Sequence, residues 1–436
     1  MRRVRITSHA NWRQPGHRLV ARFATVAEWL AWLEGLHPKE IDLGLERVAT
    51  VLARMALEQP PYLVLSVAGT NGKGSSVAML EAILRCSGYR VGAYTSPHLE
   101  RFSERIRVDG GEIDDGALLQ ALAAVDRLRG DISLTYFEFT TLAALHHFAT
   151  AKVAVAVLEV GLGGRLDAVN AVAADGCLLT TVALDHQAWL GDDREAIGLE
   201  KAGIFRSGRP AVIAEESPPQ SVLKHADSIA AQRLCRGRDF TLQLSNGGWR
   251  WQSASGRCID LPRPALAGNH QFDNAAGVVA LLDALQTRLA VSDQAIRRGL
   301  QEVRLSARME VIGEHPWVVR DVAHNPQAAR VLAEALRTSP VEGETEAVFA
   351  VLADKDAAGI VMEFDGLVRR WRVADLPGVA RAAPAGEVAA LIRERLPGVE
   401  VSVHRDPSAA LEVARRAVGA QGRVVVFGSF YTVSSV

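Results

Sequence analysis

The chain has 436 residues, of which 48% are hydrophobic, and its 49 basic residues nearly balance 50 acidic ones to give a formal net charge of -1. This length exceeds what one hydrophobic core usually organises, so it predicts two domains. The composition excludes a disordered chain, and the balanced charge excludes a strongly basic protein that wraps nucleic acid. No apolar run reaches the roughly 18 residues of a membrane span, so neither a nucleic-acid nor a membrane partner is expected.

The four cysteines are widely separated and form no C-x-x-C pair. This spacing favours neither a disulfide framework nor a structural zinc site. It is typical of a protein in a reducing compartment, so a cytoplasmic location is predicted.

The first 22 residues contain six arginines and no acidic residue. No apolar stretch of roughly 7–15 residues follows, as a secretory signal would require. A transit peptide shares this composition, but a loosely attached arm is the commoner explanation. We therefore predict a flexible basic extension at residues 1–22.

From residue 62 onward, short apolar runs alternate with amphipathic helical stretches, which predicts a mostly parallel sheet covered by helices on both faces. The predicted strands are 62–68, 90–95, 153–159, 177–184 and 210–214. Residues 215–264 are more polar and predict short antiparallel strands or an excursion from the sheet. A predicted helix at 272–289 then closes the first domain.

A second strand and helix alternation begins near residue 304. Its predicted strands are 317–321, 347–352, 369–373, 399–403 and 423–427, with a helix at 326–336. The predicted fold class is therefore α/β with two domains: a P-loop-containing, mostly parallel sheet domain at 23–303 and a smaller Rossmann-like α/β domain at 304–436. Two such domains leave a cleft between them, where ligands commonly bind.

The strongest local motif lies between the first predicted strand and the helix after it. It consists of Gly69, Thr70, Asn71, Gly72, Lys73, Gly74 and Ser75. Its glycines let backbone N–H groups face an anion at a helix N-terminus, where Lys73 would contact the outer phosphates. The motif departs from the usual phosphate loop, because Val67 replaces the first Gly and Gly74 follows the Lys. A strand-to-helix turn that binds nothing is the alternative, but nucleotide binding fits better.

Polar residues follow the other predicted strands, at the edge of the sheet where ligands bind in α/β folds. Ser96 and Glu159 offer the oxygen ligands that Mg²⁺ prefers. His186 is a softer ligand, and a histidine in this position is about as often structural. Lys201 follows on a short helix and by itself is typical of a solvated surface lysine.

Together these segments resemble the folylpolyglutamate synthase/dihydrofolate synthase family of the Mur ligase superfamily. The resemblance spans roughly residues 36 to 435. The segments that carry it are 36–48, 69–75, 95–99, 136–139, 159–170, 200–206, 268–271, 321–326 and 428–433.

The resemblance implies ATP-dependent ligation of L-glutamate to 7,8-dihydropteroate and to tetrahydrofolate, through an acyl phosphate, in folate biosynthesis. It implies ATP and two Mg²⁺ ions as cofactors, and a monovalent cation is a further prediction. The partners are then small molecules, and a monomer is expected.

The resemblance also implies roles for individual residues. Residues 69–75 hold the triphosphate, and Asn274, Arg308 and Asp321 also contact ATP. Ser96 and Glu159 hold one Mg²⁺, while His186 and Lys201 hold the second. Lys201 would have to be carbamylated for this, because a cationic amine cannot bind Mg²⁺. Lys73, His186 and Lys201 are the predicted catalytic residues.

For the substrates, the resemblance implies that Phe137 stacks on the pterin and that Asp167 accepts hydrogen bonds from its ring. His324 and Ser429 are predicted to bind the incoming glutamate. The sequence departs from the family pattern at Val169, at residues 305–307 and at Val322. Two alternatives stay open: another Mur-type amino-acid-adding ligase, and a nucleotide-binding module without catalytic activity.

Overall fold

The computed structural model of the protein describes residues 22–245 and 247–436. The predicted basic extension at residues 1–22 therefore lies outside the described residues, except for Arg22. Within these ranges, no helix combines the length and apolar character needed to cross a membrane.

The described chain forms two lobes, each built on its own sheet. The elements of the N-terminal lobe are α1 (Val26–Glu34), α2 (Glu46–Arg54), β1 (Leu63–Ala68), α3 (Lys73–Cys86), β2 (Val91–Tyr94), a 3₁₀ helix (Phe102–Arg105), β3 (Ile106–Val108), β4 (Gly111–Glu112), α4 (Asp115–Arg129), α5 (Tyr136–Thr150), β5 (Val155–Glu159), a second 3₁₀ helix (Ala168–Ala171), β6 (Gly176–Leu179), α6 (Gln187–Leu190), α7 (Arg194–Ala202), β7 (Pro210–Ile213), α8 (Gln220–Ser228), β8 (Gln232–Cys235), β9 (Phe240–Ser245), β10 (Gly248–Ser253), β11 (Cys258–Pro262), α9 (His270–Ala284) and α10 (Asp293–Glu302). The elements of the C-terminal lobe are β12 (Glu310–Glu314), β13 (Trp317–Arg320), α11 (Pro326–Arg337), β14 (Thr345–Phe349), α12 (Ala357–Met362), β15 (Arg370–Ala374), α13 (Ala385–Arg395), β16 (Glu400–His404), α14 (Pro407–Val418), β17 (Arg423–Phe427) and α15 (Phe430–Ser434).

The main sheet of the N-terminal lobe has the strand order β4-β3-β2-β5-β1-β6-β7-β8. Strands β2, β5, β1, β6, β7 and β8 are parallel, and β3 and β4 add an antiparallel edge. Helices cover both faces, so β5 is apolar on both sides: Ala156 and Leu158 pack in one core, Val155 and Val157 in the other. Strand β1 lies in the middle, which places the loop after it at the centre of one sheet edge.

Most predicted strands agree with the structure to within three residues at each end, but two predicted elements extend five residues too far. The predicted strand at 177–184 ends at Leu179, because Thr180 turns to the phosphate loop and its Oγ1 donates to the carbonyl of Asn71 at 2.6 Å. The predicted helix at 272–289 spans His270–Ala284 and is followed by α10. For residues 215–264, the sequence predicted either short antiparallel strands or an excursion from the main sheet. The structure has the antiparallel strands: β9, β10 and β11 form a separate three-stranded sheet.

The sheet of the C-terminal lobe has the strand order β12-β13-β17-β14-β15-β16. All of its neighbouring pairs are parallel except β12 and β13. Helix α11 begins with Asn325 as N-cap and Pro326 in its first turn, a favourable start because proline lacks the N–H that would stay unpaired there. The carboxyl ends of β13, β14 and β17 lead into loops that face the N-terminal lobe.

Candidate active site

The loop between β1 and α3 has a backbone that requires glycine at two positions. Gly69 has φ 151°, and a Cβ atom there would lie 1.8 Å from Oγ1 of Thr180. Gly72 has φ 85° and precedes the first residue of α3 without a side-chain cap. The N–H groups of the first helical turn therefore lack a capping side chain and are available to an anion, as predicted for a phosphate loop.

Lys73 begins α3 and folds back over this loop. Its Nζ donates to the carbonyl oxygens of Gly69 at 3.0 Å and Thr70 at 3.1 Å. Burial lowers the pKa of Lys73, while the negative charges of Glu159 and Asp185 oppose that change. The structure thus places a cation beside the N-terminus of α3, where phosphate groups would be bound.

One cavity of about 680 Å³ lies between the two lobes. It is lined by the loops after β1, β2, β5 and β6 of the N-terminal lobe, and by those after β13, β14 and β17 of the C-terminal lobe. The predicted site residues that line it are Gly69, Thr70, Asn71, Gly72, Lys73, Gly74, Ser75, Ser96, Glu159, His186, Lys201, Asn274, Arg308, Asp321, His324 and Ser429. Segments far apart in the sequence therefore meet at this cleft.

Glu159, the last residue of β5, is a buried carboxylate that lines the cavity. Its side chain is close to the backbone of Ser96, whose N–H donates to Oε2 at 3.4 Å. Burial raises the pKa of Glu159, and the charges of Lys73 and Arg308 oppose the rise. A carboxylate that is short of hydrogen-bond partners in such a place is suited to a cation.

Lys201 on α7 is buried, with 5% of its surface exposed, so it is not the solvated surface lysine that its sequence position alone suggested. Its Nζ donates to the carbonyl oxygen of Gly69 at 3.1 Å. Burial and, next, the charge of Lys73 lower the pKa of Lys201 to about 7. A large part of this amine is therefore neutral near pH 7, the form that reacts with CO₂ to give a carbamate.

His186 belongs to a polar cluster that also includes Asp185 and Lys355. Lys355 Nζ lies 2.5 Å from Oδ1 of Asp185 and 3.5 Å from Nε2 of His186. Burial lowers the pKa of His186 to about 4, so its ring is neutral and carries a free electron pair on one nitrogen. Burial opposes ionisation of Asp185, but His324, His186 and Lys355 together hold its pKa well below its usual range.

Lys355 was not among the residues proposed from the sequence. It lies in the loop after β14, at the carboxyl end of a strand, as Ser96 does after β2. That position is the signal that would have found it.

The other predicted nucleotide contacts also lie close to the phosphate loop: Asn274 on α9 of the N-terminal lobe, and Arg308 at the start of the C-terminal lobe. An ideal Cβ at Gly74 would lie 3.4 Å from Nη2 of Arg308, and one at Gly72 would lie 2.4 Å from Oδ1 of Asn274. Asp321 accepts hydrogen bonds from the backbone N–H groups of Met309 and Ala323, both at 2.8 Å. These bonds fix the turn that holds Arg308 toward the cleft.

Hydrogen bonds also join the lobes directly. Asn71 Nδ2 of the phosphate loop donates to Oδ1 of Asn325 at 3.1 Å and to Oε1 of Gln327 at 2.7 Å. Both acceptors lie at the start of α11, so the second lobe contacts the phosphate loop itself. His324, the residue before Asn325, has Nε2 at 3.5 Å from Oδ2 of Asp185.

Two predicted substrate residues do not line the cavity. Asp167 is 3% exposed, and its carboxylate accepts from the N–H groups of Leu162 at 2.8 Å and Val169 at 2.9 Å. Burial raises the pKa of Asp167 to about 6 despite these bonds. Phe137 packs against Gly161, which does line the cavity. Both residues thus lie behind the loop of residues 161–166.

Comparison with known proteins identifies the family. Residues 307–430 match the family model of the Mur ligase glutamate ligase domain. The chain is 43% identical over 413 residues to the dihydrofolate synthase/folylpolyglutamate synthase of Escherichia coli (strain K12), covering 94% of each chain. This chain belongs to the dihydrofolate synthase/folylpolyglutamate synthase family.

Solved structures of family members superpose on nearly the whole chain. The Escherichia coli protein in complex with DHPP and ADP gives a TM-score of 0.89 at 42% identity, covering 96% of this chain and 97% of the other. A bifunctional folylpolyglutamate synthase/dihydrofolate synthase with Mn, AMPPNP and L-glutamate bound gives a TM-score of 0.86 at 43% identity, covering 94% and 97%. The predicted family and the predicted two-domain α/β fold class are confirmed.

The side chains at the cleft supply only part of the ligand set that a divalent metal ion needs. Within residues 22–245 and 247–436, no group of three or more His, Cys, Asp or Glu side chains is close enough to hold a metal. Mg²⁺ commonly uses one or two carboxylates and completes its shell with phosphate oxygens and water, so Glu159 and Ser96 fit a first ion in this synthase. At a second ion, His186 has the carboxylate of Asp185 beside it, with Oδ1 3.9 Å from Nε2, but that carboxylate already pairs with Lys355. Lys201 could add an oxygen ligand only as a carbamate.

Replacement of the buried amine should change stability in a pH-dependent way. In CO₂-free buffer at pH 7, we expect Lys201→Met to raise the free energy of unfolding by roughly 2–4 kcal/mol. The amine has a pKa of about 7 when folded and near 10.5 when unfolded. Between these values the unfolded state binds more protons, so wild-type stability rises with pH and the advantage of the variant shrinks.

Urea denaturation of the synthase at pH 7 and pH 10 measures this effect. Lys224→Met, at an exposed position on α8, is the matched control and should leave stability nearly unchanged at both pH values. If the difference in unfolding free energy between Lys201→Met and wild type stays constant with pH, burial does not lower the pKa of this amine.

Proposed function

We propose that this protein is an ATP-dependent ligase that joins L-glutamate to 7,8-dihydropteroate and to tetrahydrofolate. The observation that supports this best is the single cleft in which the phosphate loop, a buried carboxylate and the glutamate-ligase-type second lobe meet. The identity to curated family members over nearly the whole chain supports the same activity. We place the reaction in the cytoplasm, as an enzyme of folate biosynthesis.

The proposed reaction has two steps. An oxygen of the acceptor carboxylate forms a bond to the γ-phosphorus as the bond to the β-phosphate oxygen breaks, which releases ADP. The amino nitrogen of glutamate then bonds to the acyl carbon, phosphate leaves, and the amine loses its proton. When bound, ATP supplies the phosphoryl group, and divalent metal ions offset the charge on its oxygens.

The residues of this chain bind and orient the reactants in this scheme. Residues 69–75 direct backbone N–H groups at the phosphates, and Lys73 offsets the charge that develops on the transferred group. Glu159 and Ser96 are the ligands we assign to the first metal ion, and His186 with carbamylated Lys201 to the second. Asn274, Arg308 and Asp321 are the further residues that we assign to the nucleotide.

We assign different reactants to the two domains. Residues 23–303 bind ATP and the acceptor, and residues 304–436 present the incoming glutamate. His324 and Ser429 are the proposed glutamate contacts, and both line the cleft. Ser429 is also the N-cap of α15, where its Oγ accepts from the N–H of Thr432 at 3.0 Å.

Asp167→Asn is expected to raise the KM for dihydropteroate while leaving the KM for ATP nearly unchanged. We propose that Asp167 accepts hydrogen bonds from the pterin ring on which Phe137 stacks. The amide also loses one acceptor for the N–H groups of Leu162 or Val169, so stability should fall by roughly 1–3 kcal/mol. Thermal unfolding and steady-state kinetics on the same preparation separate the two effects. A lower melting temperature with an unchanged KM would leave Asp167 as an anchor of the loop only.

The proposed function is tested by incubating the protein with ATP, Mg²⁺ and dihydropteroate and measuring ADP release with and without L-glutamate. Release that depends on glutamate, with one glutamyl unit added to the product by mass spectrometry, is the expected result. Tetrahydrofolate as acceptor tests the second activity. Release that ignores glutamate would reject ligation, and ligation only with an unrelated acid would indicate another Mur-type ligase.

A further inference from the structure

Arg105 lines the cleft, but it is assigned neither to the nucleotide nor to the metal ions. It ends the first 3₁₀ helix and lines the cavity. Its guanidinium lies over the rings of Phe102, at 5.6 Å from the centroid, and Tyr136, at 5.5 Å. Its Nε donates to Nδ1 of His98 at 2.8 Å. Three neighbours thus hold one planar cation in a defined orientation.

The charge of Arg105 has no carboxylate partner in the part of the chain that the structure describes. Its sequence neighbours Arg101 and Arg107 are both paired, with Glu112 and Glu81 respectively. Three other cations that line the cavity are paired: Arg236 with Asp273, Lys355 with Asp185, and Arg381 with Asp354. Lys73, Lys201 and Arg308 line the cavity without an ion pair among the described residues, but we assign all three to the nucleotide and its metal ions. An oriented arginine that is left without an anion inside a ligand cavity is suited to bind one from the ligand.

The surroundings of Arg105 place it with the acceptor rather than the nucleotide. Tyr136, under its guanidinium, directly precedes Phe137, which we assign to the pterin. The cations near the phosphate loop, Lys73 and Arg308, instead surround Glu159. Arg105 is therefore on the acceptor side of the cleft, where a carboxylate of the acid substrate would come within its reach.

The two proposed acceptors differ in the number of carboxylates. Dihydropteroate has one, and it is consumed by amide formation. Tetrahydrofolate ends in a glutamyl residue, whose γ-carboxylate reacts while its α-carboxylate stays charged. A site that serves both acceptors needs a cation for this second carboxylate, and the cation should matter for only one of them.

We propose that Arg105 binds the α-carboxylate of the terminal glutamyl residue of folate acceptors, and so supports chain extension without being needed for dihydrofolate synthesis. This inference rests on the proposed function. It makes Arg105 a specificity-determining residue at a carboxylate subsite between the 3₁₀ helix and the start of α5.

The first test compares both acceptors with Arg105→Gln, Arg105→Lys and the control Arg101→Gln. Arg105→Gln should raise the KM for tetrahydrofolate by about tenfold or more, as expected for loss of a charge-assisted hydrogen bond. Its KM and kcat for dihydropteroate should stay within about twofold of wild type. Arg105→Lys should recover part of the loss because it keeps the charge, and Arg101→Gln should match wild type with both acceptors.

The second test removes the same charge from the substrate. The analogue of tetrahydrofolate with 4-aminobutyrate in place of glutamate keeps the reacting carboxylate and lacks the α-carboxylate. Wild type should bind it about tenfold more weakly than tetrahydrofolate, whereas Arg105→Gln should no longer distinguish the two. Such coupling cannot arise from a merely structural role.

Each outcome decides the matter. Equal losses with both acceptors would mean that Arg105 only supports the loop, and unchanged kinetics would mean that it contacts no acceptor; either result overturns the proposal. If wild type ligates glutamate to neither acceptor, the proposed function fails. If it ligates to dihydropteroate and tetrahydrofolate but Arg105→Gln keeps its discrimination against the analogue, only the carboxylate subsite is wrong.

Discussion

Lys73→Ala is expected to reduce kcat by at least about a hundredfold while the protein still folds. Lys73 is the cation that the structure holds between the phosphate loop and Glu159, so its removal leaves the charge on the transferred phosphoryl group without its nearest protein partner. The fold should tolerate the change because burial disfavours this charge and its two hydrogen bonds go only to loop carbonyls. The effect should therefore appear in turnover and not in the melting temperature.

Initial rates of glutamate-dependent ADP release, together with nucleotide binding by calorimetry, measure the effect of Lys73→Ala. Lys224→Ala removes an exposed lysine from α8 and should retain wild-type rates. If Lys73→Ala keeps more than about a tenth of wild-type kcat at saturating ATP, then Lys73 binds nucleotide without stabilising the transferred group. Loss of binding alone would appear as a higher KM for ATP with kcat preserved.

The strand pattern of the fold was predictable because buried parallel strands are apolar on both faces and are separated by helices. Strand 423–427 was predicted with its observed bounds, and 210–214 within one residue. Strand 177–184 was predicted too long, since Thr180 and the residues after it are apolar enough for a strand but bond to the phosphate loop instead. Local pattern cannot show a partner that lies 109 residues away.

For the site, sequence alone identified residues at strand ends and in the phosphate loop, because chain position fixes their place at one sheet edge. It could not identify bonds between the lobes, such as that of Asn71 to Asn325, which are 254 residues apart. It also treated Lys201 as exposed until the family resemblance was considered, since a nine-residue helix with one lysine gives no sign of which face is buried. Only the packing of α7 under the phosphate loop shows the amine to be buried.

The second large effect on activity is expected for Lys201→Ala, which removes this buried amine. We expect this variant to lose about a hundredfold in kcat, because the second metal ion would lose the oxygen ligand that we assign to the carbamate of Lys201. Millimolar formate or acetate should raise the kcat of Lys201→Ala at least about tenfold, since a free carboxylate can enter the space left by the side chain. Full recovery is not expected, because the free acid must be ordered at each turnover whereas a carbamate is already tethered.

A carbamate can also be detected without measuring activity. In ¹³CO₂-enriched buffer, wild type should show a ¹³C carbamate resonance that is missing from Lys201→Ala and retained by Lys224→Ala. The neutral fraction of the Lys201 amine is large near pH 7 because burial lowers its pKa to about 7, so the resonance should weaken as the pH falls below 6 and the amine is protonated. Normal turnover by Lys201→Ala in buffer without formate or acetate would show that catalysis needs no carbamate at this position. A resonance that persists in Lys201→Ala would place the modified amine elsewhere in the chain.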